Sequence, residues 1–274
     1  MRWVNWVWVA VLPGCLSEVP PIPPGEATAT PIEITALNSP GAVSGSIVSL
    51  ENVVVSAFDT YDETGEGRVG TAYVQEPEGG ARSGIQLFAA AVAPAGSVLV
   101  PGDVVDVRGE FVLFEGPPGS SPFENPLPQI TFGNVVQKVG EWAAPEPVTV
   151  PVAELLANGI DYVGSLVRVE GLTAQTGYER DPPRFETEEG LVVASALFVE
   201  PSVLPGTRFT SITGVFTYFY DFQILPRHAA DLVVEPGSPL AERSDATCAD
   251  GADNDGNGAT DCDEPSCAGL GGCP

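Results

Sequence analysis

Between Asp253 and Glu264 the chain sets oxygen-bearing side chains at regular intervals. Asp253, Asp255 and Asn257 occupy alternate positions, Gly258 follows, and Asp261 and Glu264 complete a stretch of twelve residues. A hard divalent cation such as Ca²⁺ takes about six to eight oxygen ligands, and alternate side chains on a tight loop supply three. Gly258 permits the sharp turn, and Ala259 lends its backbone carbonyl. Asp261 acts directly or through water, and Glu264 offers both carboxylate oxygens. The spacing predicts a Ca²⁺ loop of Asp253, Asp255, Asn257, Ala259, Asp261 and Glu264, with the weak dissociation constant of extracellular modules, about 10⁻⁴–10⁻³ M.

The same stretch is rich in cysteine. Cys248, Cys262, Cys267 and Cys273 fall in a segment with many Asp and almost no large apolar side chain. Such a segment cannot bury a core and needs staples, so disulfides are expected, in any of three pairings. A four-cysteine zinc site is the alternative, but it favours Cys pairs two residues apart, and none is present.

Other catalytic chemistry is thinly represented. His228 is the chain's one histidine, in Pro226-Arg-His-Ala, and a Ser or Cys nucleophile ordinarily needs a histidine base. No Gly-rich phosphate loop occurs. A carboxylate pair for glycoside hydrolysis is the remaining catalytic option, since acids are abundant. The expectation is a protein that is not an enzyme.

The elements that must carry these residues follow from composition. Of 274 residues, 27 are Pro and 31 Gly, too many turn-formers for a helix bundle. Residues 32–236 alternate short Val-, Ile- and Phe-rich runs with Gly, Pro and Asp, an all-β pattern. The pattern repeats. Gly45-Ser-Ile-Val-Ser-Leu matches Gly164-Ser-Leu-Val-Arg-Val. Pro101-Gly102 with Val105–Phe111 matches Pro205-Gly206 with Thr210–Phe216. Gln129-Ile130 matches Gln223-Ile224. Each copy reads as five strands, with hairpins Thr71–Glu76/Ile85–Ala89 and Phe185–Thr187/Leu191–Ala194. Residues Val152–Ala157 form the one expected helix, stopped by Asn158-Gly159.

Both copies resemble OB-fold domains, in particular diverged ones in secreted bacterial proteins, which implies two tandem small Greek-key barrels. A seven-stranded immunoglobulin-like sandwich is the rival. Tyr218, Tyr220 and Phe222 are the candidate aromatics of a ligand face. Acids outnumber bases 37 to 11, a net charge of −26, and each copy is acidic by itself. That argues against a nucleic-acid partner, whose phosphates need a basic groove.

At the N-terminus, Trp3–Leu12 is an apolar run too short to span a bilayer. It ends Leu12-Pro13-Gly14-Cys15, which resembles the lipobox of bacterial lipoproteins. That resemblance implies a signal peptide cut before Cys15 and a lipid on its thiol. It also implies a chain held in the cell envelope, with Leu16 after the cysteine pointing to the outer membrane. Pro13 departs from the usual small residue. Residues Glu18–Pro31 are a stiff Pro-rich tether. The Asp/Cys tail resembles thrombospondin type 3 repeats and short metal-binding tails of bacterial surface proteins. It is not an EF-hand, because no helix precedes Asp253 and Pro265 follows Glu264.

The expected order is therefore a signal peptide and lipobox (1–15), a linker (16–31), β-domains at 32–146 and 147–236, and a calcium-binding tail (237–274). The function that follows is an exported, lipid-anchored protein that binds or scaffolds an unknown protein or polymer at the envelope. The alternative is an accessory module that holds an extracellular polysaccharide or nucleic acid for a separate enzyme.

Overall fold

A computed structural model describes residues 31–59, 70–94, 96–117, 122–131, 134–178 and 183–274. The expected signal segment, Cys15 and the tether up to residue 30 lie outside the described residues.

The first half opens with a short helix, α1 (Ile34–Leu37), which buries Ile34 and Leu37. Seven strands follow: β1 (Ser46–Phe58), β2 (Ala72–Gln75), β3 (Gly84–Leu87), β4 (Ala91–Ala93), β5 (Asp103–Phe114), β6 (Leu127–Ile130) and β7 (Val135–Glu141). Five of them close on themselves in the order β1-β2-β3-β6-β5-β1, with β3 and β6 parallel. This is a closed five-stranded barrel. Its interior is aliphatic, built from Val48, Leu50, Val74, Ile85, Val105 and Ile130 around Phe111. β1 is long enough to serve two neighbours because it bulges between Leu50 and Val53. Asn52 takes the left-handed conformation there (φ +57°), which Asn tolerates well, and Asp106 accepts its backbone N–H.

The second half repeats the plan. It contains β8 (Val148–Thr149), α2 (Val152–Asn158), β9 (Leu166–Thr173), β10 (Arg184–Glu186), β11 (Val192–Ala194), β12 (Arg208–Phe219), β13 (Asp221–Leu225) and β14 (Leu232–Val234). The repeated motifs have equivalent roles. Gly45 N–H donates to Phe111 O, and Gly164 N–H donates to Phe216 O. The Pro-Gly pairs make equivalent turns, with Gly102 at φ +98° and Gly206 at φ +87°. The expected last strand is split in both halves. β6 and then β7 pair along β5, as β13 and then β14 pair along β12.

The expectation of two tandem barrels requires correction. The second sheet runs β10-β11-β13-β12-β9-β8 and is not closed. β9 ends at Thr173, and only an isolated bridge, Ala174–Thr187, joins its end to that of β10. β1 has 13 residues and β9 has 8. The missing residues are those that carry the closing ladder in the first half, Val54 to Phe58 against β2.

Helix α2 stands where expected, but Gly159 does not stop it by turning left-handed. Gly159 stays right-handed (φ −55°) and leads into a 3-10 turn through Tyr162. A Cβ on Gly159 would lie 2.8 Å from the Phe222 ring, so packing demands the glycine there.

The two halves pack directly together. Gly84 and Gly164 bring their backbones into contact, so a Cβ on Gly84 would sit 2.1 Å from the Gly164 carbonyl carbon. Ala57, Tyr73, Leu166, Ala194, Val215 and Leu225 form a small apolar cluster across this seam. Polar ties flank it. Leu166 N–H donates to Gln75 Oε1 (3.0 Å), Ser83 and Ser165 hydroxyls meet (3.3 Å), and Arg82 pairs with Asp161 (2.8 Å).

Beyond β14 the chain is irregular and tied by two disulfides, Cys248–Cys267 and Cys262–Cys273. Its first residues dock on the second sheet. Ala241 N–H donates to Ser202 O, and Thr207 Oγ1 donates to Pro239 O (2.6 Å). No helix among the described residues is long and apolar enough to cross a membrane.

Candidate binding cleft between the two halves

Strand periodicity decides which side chains reach the outer face of each sheet. In the first half Ile85, Leu87 and Ile130 point into the barrel. Their neighbours in sequence point out. Tyr73 faces Gln86, Gln86 faces Gln129, and Gln129 faces Val112, which makes one row across β2, β3, β6 and β5. In the second half Thr217 faces Gln223, with Ile224 turned inward. Residues of the two outer faces together enclose a cleft of about 1030 Å³. The four row residues Tyr73, Gln86, Gln129 and Val112 line it, together with Gln223 and Thr217 of the second half and Phe114, Tyr218, Phe219 and Tyr220. The repeated Gln-Ile pair thus has a reason: one residue fills the core and the other faces the space between the halves.

The floor is polar and buried. Gln129 is 4% exposed, and its Oε1 accepts from Gln86 Nε2 at 3.3 Å. That bond leaves the Gln86 acceptor and the Gln129 donor outside it, so each amide keeps one function for a ligand. The wall is aromatic. Phe123, from the segment between β5 and β6, makes edge-on contacts with Phe114, Tyr218, Phe219 and Tyr220, at ring-centre distances of 4.9–5.6 Å. Tyr218 is buried in this cluster, whereas Phe219 and Tyr220 remain 49% and 43% exposed. Tyr220 takes a left-handed backbone conformation (φ +64°) at the turn between β12 and β13. Among the described residues lining the cleft, Arg184 is the single cation and Asp221 the single anion.

Of the three aromatics expected on a ligand face, the structure brings Tyr218 and Tyr220 to the cleft. Phe222 is instead packed against Phe216 and Gly159. Gln86, Gln129 and Gln223 are the residues that sequence reasoning missed. The signal was available, because a polar residue beside a buried Ile in both copies marks one sheet face as special.

His228 is the extended residue just before the 3-10 turn Ala229–Asp231, its side chain 58% exposed, with Nδ1 3.8 Å from Asp231. Arg227 holds that carboxylate with two guanidinium bonds of 2.9 Å. His228 is not among the cleft residues.

The expected calcium loop is closed by its own amides. The Asp253 carboxylate accepts from the backbone N–H groups of Gly256, Asn257 and Gly258. Asn257 Nδ2 donates to both Asp255 (3.1 Å) and Glu264 (2.8 Å), and Asn257 Oδ1 accepts from Ala259 N–H. Asp253, Asp255, Asn257 and Glu264 are therefore gathered in one loop. Asp261 turns away and accepts from Gly251 N–H. Among the described residues no three His, Cys, Asp or Glu side chains are grouped to hold a metal. Glu242 supports the loop from beneath. It is 1% exposed and accepts from the backbone N–H groups of Asn254 and Asp261.

Compared with protein-family models, curated proteins and solved structures, the chain matches none.

Proposed function

We propose that the chain is an exported protein, lipid-anchored at Cys15 to the outer membrane of the cell envelope, that binds a ligand and does not transform it. The observation that supports binding is the cleft, to which each half contributes the outer face of its sheet and an equivalent glutamine, Gln129 and Gln223. Retention of the full chain on immobilised extracellular polymers, neutral and anionic, tests this reading. Retention weakened in a folded Gln223→Leu variant supports it. No retention, or equal retention of the variant, refutes it. Anchoring is tested by lipid labelling in a bacterial host, where Cys15→Ser should abolish the label and an unlabelled wild-type chain sinks the assignment.

On this reading both halves are OB-like units, the second with one open seam. The alternative function, an accessory module that presents an extracellular polymer to a separate enzyme, draws support from the exposed rings of Phe219 and Tyr220.

The tail adds weak calcium binding. Asp253, Asp255, Asn257 and Glu264 share a loop and are the side chains that would hold the ion, whereas Asp261 is engaged elsewhere. Fewer side-chain oxygens imply weak affinity, about 10⁻⁴–10⁻³ M. Calorimetric titration of the full chain should show saturable heat that disappears in Asp253→Ala/Asp255→Ala. Absence of heat in the wild type would leave the tail an acidic spacer.

A further inference from the structure

We infer that the cleft takes an uncharged, hydroxyl-rich chain, a neutral oligosaccharide, with Phe219 and Tyr220 as its stacking surface and Gln86, Gln129 and Gln223 as its polar contacts. The inference rests on the binding reading above and names the ligand class for that same site.

Four ligand chemistries can be weighed against the lining. A nucleic acid brings one phosphate per nucleotide and needs a basic groove beside its stacking rings. Among its described lining residues this cleft offers Arg184 against Asp221, in a chain of net charge −26. An extended peptide adds to an open sheet edge through backbone hydrogen bonds. The floor strands β2, β3, β5 and β6 are each paired on both sides within the closed barrel, so they offer side chains only. Of the edge strand β10 only Arg184 reaches the lining, too short a run to pair with a peptide strand. A lipid tail would cover the amides of Gln86 and Gln129 with hydrocarbon. An amide covered without a hydrogen-bond partner is costly, so the floor disfavours a purely apolar guest.

The fourth chemistry fits each feature. A carboxamide has a donor and an acceptor at one site, and so does a hydroxyl. Gln86 and Gln129 already share one hydrogen bond, which fixes their planes and leaves one donor and one acceptor free to face a ring of hydroxyls. Gln223 repeats the pair of functions on the opposite wall. Pyranose rings also carry flat C–H faces, which lie on aromatic rings. Phe219 and Tyr220 present such rings, held edge-on by Phe123 so that little freedom is lost on binding. The charge balance of the described lining, one cation and one anion, matches an uncharged guest.

The test uses the full exported chain and soluble probes. These are neutral hexasaccharides of α- and β-linked glucose and of N-acetylglucosamine, a polygalacturonate hexamer, and an oligothymidylate. Binding is measured by calorimetry at low and high salt. Tyr220→Asn removes the ring with a residue that tolerates positive φ. Gln223→Leu removes the amide at a partly exposed position. Both should melt like the wild type. The expected result is binding of at least one neutral hexasaccharide, indifferent to salt, weakened about tenfold by either change.

If polygalacturonate or oligothymidylate binds, with salt sensitivity and loss in Tyr220→Asn, the cleft is a binding site but its ligand is anionic, and the inference falls. Neutral binding unchanged by both variants removes the cleft itself and with it the broader reading. No binding by any neutral probe overturns the inference alone.

Discussion

Replacing Gly84 by Ala tests the packing of the two halves, on which the cleft depends. Gly84 has no positive φ, so Ala suits its backbone, and any penalty comes from what the methyl meets. The methyl carbon would lie 2.1 Å from the Gly164 carbonyl carbon and 2.2 Å from Ser165 N. Ordinary contact is about 3.5–4.0 Å, so the two backbones must part by about 1.5 Å. A shift of that size breaks the Gln75–Leu166 bond and the Ser83–Ser165 contact. Overpacking costs about 1–3 kcal/mol, and a buried donor left without its partner costs about as much again. The lost flexibility of the unfolded chain offsets about 0.4–1 kcal/mol. The expected net loss is about 1–5 kcal/mol, centred near 3, a large share of the total stability of a typical domain, about 5–15 kcal/mol. Urea unfolding followed by near- and far-ultraviolet circular dichroism reads it as a lower midpoint or as two separate transitions. Gly140→Ala is the control, because its Cβ would make ordinary contact with Val104 at 3.6 Å, and it should be neutral or slightly stabilising. If Gly84→Ala unfolds in one transition and is at least as stable as the wild type, the halves do not meet at these glycines.

Two further outcomes follow from the structure. Burial holds the Glu76 carboxyl above its ordinary value of 4.5, although the Ile34 N–H donates to it and opposes the shift. The folded state therefore binds its proton more tightly than the unfolded chain, so Glu76 supports the fold below the unfolded pKa and loses that contribution as pH rises through the folded one. Glu76→Gln keeps an acceptor for Ile34, so it should stabilise at neutral pH and converge with the wild type in acid; denaturant midpoints that differ equally at both pH values contradict this. Opening the Cys262–Cys273 link, which spans 11 residues, by Cys→Ser at both positions should cost the tail about 2–4 kcal/mol. Hydrogen exchange should show Gly251 and Cys267 amides losing protection while Val193 keeps its own; loss at Val193 as well would mean that tail and second sheet unfold as one.

Much of the fold was legible because its punctuation is local. A Gly-Ser start, a Pro-Gly turn and a Gln-Ile strand are short-range signals, and each sits where its backbone role requires. Barrel closure is not local. Whether β9 closes onto β10 depends on having residues beyond Thr173 that stay in register with a distant strand, and a shortfall of a few residues leaves the pattern of apolar runs unchanged. The Asn158-Gly159 boundary fell in the right place for another reason, since a ring sixty residues away requires the glycine. Cysteine spacing left three pairings open, and three-dimensional proximity selects one.

The cleft was partly legible, in a form that alternation reasoning discards. A strand with one wet face alternates apolar and polar residues, whereas a strand covered on both faces does not. Val53 to Ala57 in β1 and Ser211 to Tyr218 in β12 are buried without interruption. A single barrel would bury only every second residue of those strands, so a second covering surface must exist, and here it is the other half of the molecule. Within such doubly covered sheets an amide is costly unless it has partners. Gln75 answers that cost only in part: its Oε1 accepts from Leu166 across the seam, while its buried Nε2 has no partner. Gln86 and Gln129 answer only part of it by bonding to each other. The remaining donor and acceptor sit at the bottom of an open cleft, where water or a ligand hydroxyl completes them. What sets Gln86 and Gln129 apart from Gln75 is place: they line the open cleft, within reach of the proposed ligand, whereas Gln75 lies at the seam.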